Sequence, residues 1–253
     1  TTALSALTKE IETPSVAALC VDGTSGSILP ISASGQPLCD ALMYNDPCSV
    51  DGILAMIAQR APAESAAHGA TSGAAKALVF QGKHNNISKI VHQADWIAGQ
   101  LCGVYRSDDN NALKTGYDSV GRCWPDWMAN AGIDRMLLPT VCEPGTALRP
   151  ILPEIADLFD LPETTIVVAG TTDGCAAFLA TGASQPGDGV TSIGTTLILK
   201  IISDKPIFDP DSGIYSHRLL GNWLAGGASN TGGGVLLDHF TTSEIERLSA
   251  QID

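Results

Sequence analysis

The chain opens its apolar pattern at Ser15–Val21, a run that predicts a buried strand. Gly23 and Gly26 then bracket a turn before Ser27–Ser32 resumes a strand pattern. Ser49 is placed to cap a helix through about Arg60, and the Ala/Gly/Ser-rich stretch Ala61–Ala75 reads as a weak helix or a surface connection. The clearest periodicity follows. Ile87, Ile90, Val91, Ala94, Ile97, Ala98 and Leu101 share one face at helical spacing, and Gly103 comes next as a stop, so a core helix is predicted from about Ile87 to Leu101. Pro125 and Pro153 each open a shorter helix, the first closed by Gly132. Beyond these, Thr165–Ala169 reads as a strand and Asp173–Thr181 as a helix ended by Gly182, after which strands dominate. Gly189–Ser203 forms a pair turning at Gly194, with further strands near Gly213–Ser216 and Asn222–Ala225. A Gly-rich segment, Gly226–Gly234, then leads into a helix through Phe240. This is an α/β pattern with a boundary expected near Pro186–Asp188, which gives domains at 1–186 and 187–253.

Composition narrows the class. With 253 residues, 44% hydrophobic and 16% charged, the chain is an ordered globular one with ample material for a core. A net charge of -13 repels the phosphate backbone of nucleic acid and anionic headgroups. It does not exclude a nucleotide, which backbone N–H groups and Mg²⁺ handle locally. Apolar runs such as Thr195–Ile202 are too short for a bilayer. Seven cysteines with no CxxC pair fit free thiols, read here as mostly buried, and the five scattered histidines give no metal-ligand spacing. No protein-held metal site is expected.

Four segments have the residue types for chemistry, and each also has a plain structural reading. In Val167–Phe178 (VVAGTTDGCAAF) a buried strand ends in Gly170 and two threonines, and Asp173 stands where a helix begins. A carboxylate there lies at the strand edge where open α/β sheets bind ligands, and the helix N-terminus keeps it ionised and ready to accept a proton; the local pattern by itself favours an N-cap. Gly194 and Thr195, in the SIGTT turn, offer backbone N–H groups and hydroxyls for a phosphate, or form an ordinary hairpin turn. Gly226–Gly234 (GGASNTGGG) would let a nucleotide approach the backbone, or is a flexible turn; it has neither a GK[ST] ending nor GxGxxG spacing. Val21–Ser27 (VDGTSGS) supplies Asp22, Thr24 and Ser25 for polyol hydroxyls, or an Asx-type turn satisfying its own backbone. The polar run Asp108-Asp109-Asn110-Asn111 is expected to be a solvated loop.

The order of these segments is similar to that of the FGGY carbohydrate kinases along nearly the whole chain. VDGTSGS is followed by PLCDALMYND (Pro37–Asp46), HQADWIAGQLCG (His92–Gly103), SDDNNALKTGYD (Ser107–Asp118), LLPTVCEPGTALRPI (Leu137–Ile151), AGTTDGCAAF, SIGTT and GGASNTGG. The forms DGTSG, MYND and GGASNTGG resemble the ribulokinase-like or xylulose-kinase-like branch of cyanobacteria and plant plastids.

The resemblance implies a two-domain ATPase fold of the actin/hexokinase (ribonuclease H-like) type, with a sugar and Mg²⁺-ATP meeting between domains. It implies a ketopentose kinase in which Asp173 is the base, Thr24 and Ser25 face the sugar with Asp173, and Gly194, Thr195, Gly227 and Asn230 face the nucleotide. The implied compartment is a cytoplasm or a plastid stroma.

The chain departs from the family at both ends: the opening phosphate hairpin and the later part of the second domain have no counterpart. The expectation is therefore an incomplete kinase fold, with a partner chain over the uncovered edges as one outcome. The alternative is a reduced relative acting as a scaffold or binding subunit.

Overall fold

The computed structural model describes residues 2–48, 50, 52–229 and 231–252. The chain divides into two compact units, Thr1–Ala176 and Ala177–Asp253.

The first unit begins with α1 (Thr2–Leu7), β1 (Ala18–Cys20) and β2 (Ile28–Ile31). All four residues of β2 are buried, because the strand is covered on both faces. On one edge it pairs antiparallel with β3 (Lys89–His92), and on the other Ile28 exchanges both backbone hydrogen bonds with Leu42. Between the two strands lie α2 (Ile53–Arg60) and α3 (Gly73–Lys83). Ser49 falls outside the described residues; α2 starts from Gly52 in the left-handed region. The stretch read as a weak helix or connection divides into a loop and the start of α3, which Ser72 caps by accepting from Ala75 N at 3.2 Å.

The single helix expected from Ile87 to Leu101 is instead a strand followed by a helix. Lys89–His92 is β3, and α4 (Gln93–Cys102) begins only at Gln93. Adjacent Ile90 and Val91 are both buried, one beside Phe80 and the other beside Leu29 and Ile31, which a strand covered on both faces permits. His92 is the switch point: Asp95 Oδ2 accepts from His92 N at 3.1 Å, closing a capping box. Gly103, at φ 74°, ends the helix as expected.

Next come β4 (Arg106–Asp108), α5 (Asp109–Leu113), α6 (Asp126–Asn130), β5 (Thr140–Cys142), β6 (Ala147–Pro150), α7 (Pro153–Phe159), β7 (Ile166–Val168) and α8 (Asp173–Leu179). The central sheet has the order β1-β7-β6, with β1 and β7 parallel in the register Ala18↔Ile166, Leu19↔Val167, Cys20↔Val168. Its core is Ala98, Leu101, Ile151, Phe159 and Val167. A second core, under α2, α3 and α6, holds Ile57, Ala74, Ala75, Met128 and Ile133. Of the seven cysteines, Cys48, Cys102 and Cys175 are buried, whereas Cys20 and Cys123 are exposed, so burial is less general than expected.

The second unit is an antiparallel sheet of order β10-β11-β9-β8, from β8 (Gly189–Ile193), β9 (Leu197–Ser203), β10 (Tyr215–Leu219) and β11 (Asn222–Ser229). The β8–β9 hairpin turns at Gly194 as expected. The segment expected to be a Gly-rich loop starts instead as strand: Gly226 and Gly227 pair with Lys200 and Leu199 inside β11. A 3-10 turn at Gly233–Asp238 and α9 (Thr242–Ser249) follow, the helix closed by a Thr241/Glu244 capping box.

Candidate functional site

The candidate site of the first unit is built where β1 and β7 end side by side. Their parallel pairing continues past both strands as a bridge between Gly23 and Thr172, with Gly23 N donating to Thr171 O at 3.3 Å and Asp173 N donating to Gly23 O at 3.0 Å. The VDGTSGS loop and the AGTTDG turn are thereby joined at the C-terminal ends of two adjacent parallel strands, where open α/β sheets hold ligands. Gly170 makes this approach possible: a Cβ there would lie 1.9 Å from Val21 O.

At the start of α8 the capping role belongs to Thr172, whose Oγ1 accepts from Cys175 N at 3.3 Å. Asp173 is therefore not the N-cap. It occupies the first helical position with its side chain exposed, one oxygen accepting from Gly174 N at 2.7 Å. Thr24 and Ser25 are half-buried on the facing loop. Thr24 Oγ1 pairs with Ser27 Oγ at 2.6 Å, and Ser27 Oγ accepts from Tyr44 N at 2.9 Å, tying the loop to the MYND segment.

The run read as a solvated loop does the opposite of what was expected. Asp108, Asp109, Asn110 and Asn111 are all buried. Asp108 Oδ1 accepts from Asn110 N and Asn111 N at 2.9 and 3.0 Å, capping α5, and its Oδ2 accepts from Asn111 Nδ2 at 2.6 Å. Asn111 Nδ2 also donates to Thr171 O at 3.1 Å, and Asn110 Nδ2 to Thr171 Oγ1 at 2.9 Å. Three polar side chains, those of Asp108, Asn110 and Asn111, are thus spent on each other, on the start of α5 and on Thr171, two places before Asp173. Burial, reinforced by the charge of Asp95, pushes the Asp108 carboxyl up to about 6 against the pull of these donors.

Beside this network, His92 Nδ1 lies 2.7 Å from Asp95 Oδ2 and 2.9 Å from Ser107 Oγ, and His92 Nε2 lies 3.0 Å from Thr115 Oγ1. It is not a nucleophilic triad. Asp95 and Ser107 share one ring nitrogen rather than taking opposite ones, and Ser107 has no exposed surface. The cluster holds α4 to the segment that feeds α5.

Lys76, the largest fully buried side chain, reaches from α3 to donate to Gly26 O at 2.7 Å and Met43 O at 2.5 Å. Burial holds its ammonium down at about 8, with Asp46 pulling up and Lys114 pushing further down. The sequence marks neither Lys76 nor the two asparagines, which it places in a solvated loop, as part of the site. Their partners lie 33 to 61 residues away along the chain, so no local spacing marks them.

In the second unit, Gly194 and Thr195 are exposed at the β8–β9 turn, and the glycine run packs against it: Gly233 N donates to Gly194 O at 2.6 Å and Gly234 N to Thr195 O at 3.3 Å. A Cβ on Gly232 would come within 2.4 Å of the Thr196 carbonyl carbon. Glycine here serves close packing of two chain segments: a Cβ on Gly234 would fall 2.8 Å from the Thr195 methyl carbon. Gly227 is separate from that turn. It lines an apolar groove of about 660 Å³ with Leu197, Leu199, Ile201, Ile207 and Ile214, in which Gly194 and Thr195 take no part. Asn230 lies outside the described residues. Among the described residues no group of three or more His, Cys, Asp or Glu side chains converges to hold a metal, and no helix is long and apolar enough to cross a membrane.

A solved xylulose kinase from Lactobacillus acidophilus superposes with a TM-score of 0.80 at 20% identity, over 94% of this chain and 51% of the kinase. The fold is that of the sugar kinases. It is the actin/hexokinase-like α/β arrangement that the order of segments implied. Sequence relatives agree: gluconokinase of Bacillus subtilis (strain 168) is 31% identical over 164 residues, 62% of this chain and 32% of its own length. Xylulose kinase of Streptomyces rubiginosus is 26% identical over 225 residues, 82% of this chain and 45% of its own length. The chain thus spans less than half of these curated sugar kinases, and about half of the solved one. No family model matches it.

Proposed function

We propose that this chain is part of an ATP-dependent carbohydrate kinase acting on a ketopentose, with Asp173 as general base. The observation that carries the proposal is the pairing of the Asp173 turn with the Gly23–Ser27 loop. It sets an exposed carboxylate at the N-terminus of α8 against the loop that carries Thr24 and Ser25, in a chain whose matched relatives are named sugar kinases. In this reading Thr24 and Ser25 hydrogen-bond the sugar and Asp173 takes the proton of the attacking hydroxyl. That hydroxyl oxygen forms a bond to the γ-phosphorus as the bond to the β-phosphate oxygen breaks, and ADP leaves. We assign the Gly194–Thr195 turn to a phosphate because it is exposed and carries the Thr195 hydroxyl, with Gly194 N already donating to Thr196 O at 3.1 Å. We also assign Gly227 and Asn230 to the nucleotide side. Mg²⁺ fits a role in which phosphate oxygens and water supply most of its ligands, since the described residues form no carboxylate cage.

The forms DGTSG, MYND and GGASNTGG support placing the chain in the ribulokinase-like or xylulose-kinase-like branch of cyanobacteria and plant plastids, hence a pentulose and a cytoplasmic or stromal setting. The test is ADP release by the full-length protein against a panel of pentuloses and D-gluconate, with and without Asp173→Asn. Pentulose-dependent turnover that falls by about 10²–10⁴-fold in the variant is expected. Turnover with gluconate alone would replace the sugar, and turnover insensitive to the substitution would remove Asp173 from its role.

A further inference from the structure

A fully buried lysine whose described hydrogen bonds go to two backbone carbonyls is unusual enough to require a reason. The base of its stem is rigid. Ser72 caps α3, Gly73 N donates to Lys114 O at 3.0 Å, and a Cβ on Gly73 would fall 2.1 Å from Thr115 Oγ1, so the first turn of the helix is seated directly on the Lys114–Thr115 segment. From there the side chain crosses to two loop segments. Gly26, at φ +82°, turns its carbonyl inward, and that oxygen accepts from Lys76. Met43 O accepts from Lys76 and from Asp46 N, while Met43 N donates to Asp46 Oδ2 at 2.7 Å. The ammonium therefore joins the end of the Thr24–Ser25 turn to the MYND segment, which Ser27 Oγ and Tyr44 N join a second time.

We propose that Lys76 is a positioning residue for the substrate: an internal cationic strut that fixes the Gly23–Ser27 loop against Met43 and so holds Thr24 and Ser25 in place beside Asp173. The proposal rests on the reading of that loop as sugar-facing. A neutral side chain of the same length would leave Gly26 O facing a buried, dry space, and the loop would relax about Gly26 to rehydrate it. The Ile28–Leu42 pairing and the β2–β3 ladder do not depend on Lys76, so the effect is confined to the loop. The groups bearing on the ammonium's charge are Asp46 from the MYND segment, Lys114 from the segment after α5, and the Cys48 thiol.

The test uses the full-length protein and Lys76→Met, read in two ways. Hydrogen exchange needs no substrate: amides of residues 23–27 should exchange at least about tenfold faster in the variant, with β2 and β3 unchanged. In kinetics, KM for the sugar should rise about tenfold or more while kcat and KM for ATP stay within about threefold, because uniform sugar binding is what is lost. A merely structural role would instead lower the active fraction and leave both KM values alone. Should Lys76→Met fail to fold, the wild type still decides: KM for the sugar should rise about threefold from pH 7 to 9 as the charge-assisted hydrogen bonds weaken.

Unchanged exchange at 23–27, or an unchanged sugar KM in an active variant or across that pH range, overturns the strut and leaves the kinase reading intact. A wild type that turns over no sugar defeats the kinase reading, and the exchange result then decides the strut alone.

Discussion

Gly170→Ala is the substitution whose consequence the structure fixes most tightly. The added Cβ would stand 1.9 Å from Val21 O and 2.7 Å from Val21 C, both backbone atoms that no rotamer change can withdraw. Reaching even 3.0 Å requires the ends of β1 and β7 to separate by at least about 1 Å, which overpacking elsewhere shows to cost about 1–3 kcal/mol. The same movement strains the hydrogen bonds between Gly23 and the Thr171–Asp173 turn, at about 1 kcal/mol each. The sum is roughly 3–5 kcal/mol, or a drop in Tm of roughly 6–20 °C for a unit of this size. Three of the four tryptophans, Trp96, Trp124 and Trp127, lie in the first unit and Trp223 in the second, so the Trp223→Phe background makes intrinsic fluorescence during heating follow the first unit's unfolding. A displacement of that size between Asp173 and Thr24 should also cost about 10²-fold in kcat of the full-length protein. A Tm within about 2 °C of the parent would refute the close approach of Val21 and Gly170, and with it the joining of the two loops.

Two further substitutions test other parts of the account. Gly82 is exposed in α3 with nothing within 4 Å of where a Cβ would point, so Gly82→Ala should stabilise by about 0.5–1 kcal/mol in urea denaturation, the opposite sign to Gly170→Ala. Asp108 titrates at about 6 in the folded chain against an ordinary 3.8, so between those values the folded state holds the extra proton and stability from this group falls as pH rises. Relative to Asp108→Asn, the parent should gain on the order of 2 kcal/mol between pH 6.5 and pH 4, and parallel stability curves would show that the carboxyl is not buried as described.

The parts of the fold that the sequence made legible are those where one residue type dictates local backbone. Gly103 and Gly132 stop their helices with positive φ, Pro153 opens α7, and the Gly194 turn joins two strands of matching apolar pattern. The place of Asp173 at a helix start was legible for the same reason, since strand, glycine and helix start are all local signals. What was not legible depended on distant partners. Ile87, Ile90 and Val91 fit a helical face by spacing, yet the pairing of β3 with β2 decided otherwise, because burial on two faces rewards a strand. Asp108–Asn111 looked solvated because its partner, Thr171, is 60 residues on. Lys76 carries no local signal at all, and only the carbonyls of Gly26 and Met43 explain its burial.

The Gly23–Thr172 bridge also sets an order of events during synthesis. Its two halves are separated by 149 residues, and β1 has β7 as its only strand neighbour among the described residues. At ribosomal rates of about 5–20 residues per second, roughly 7–30 s pass between the emergence of the first loop and that of its partner. The interval is spent with β1 unpaired and the loop unformed, so the contact order of the site, rather than that of the surrounding helices, governs when the nascent chain first becomes competent to recognise a ligand.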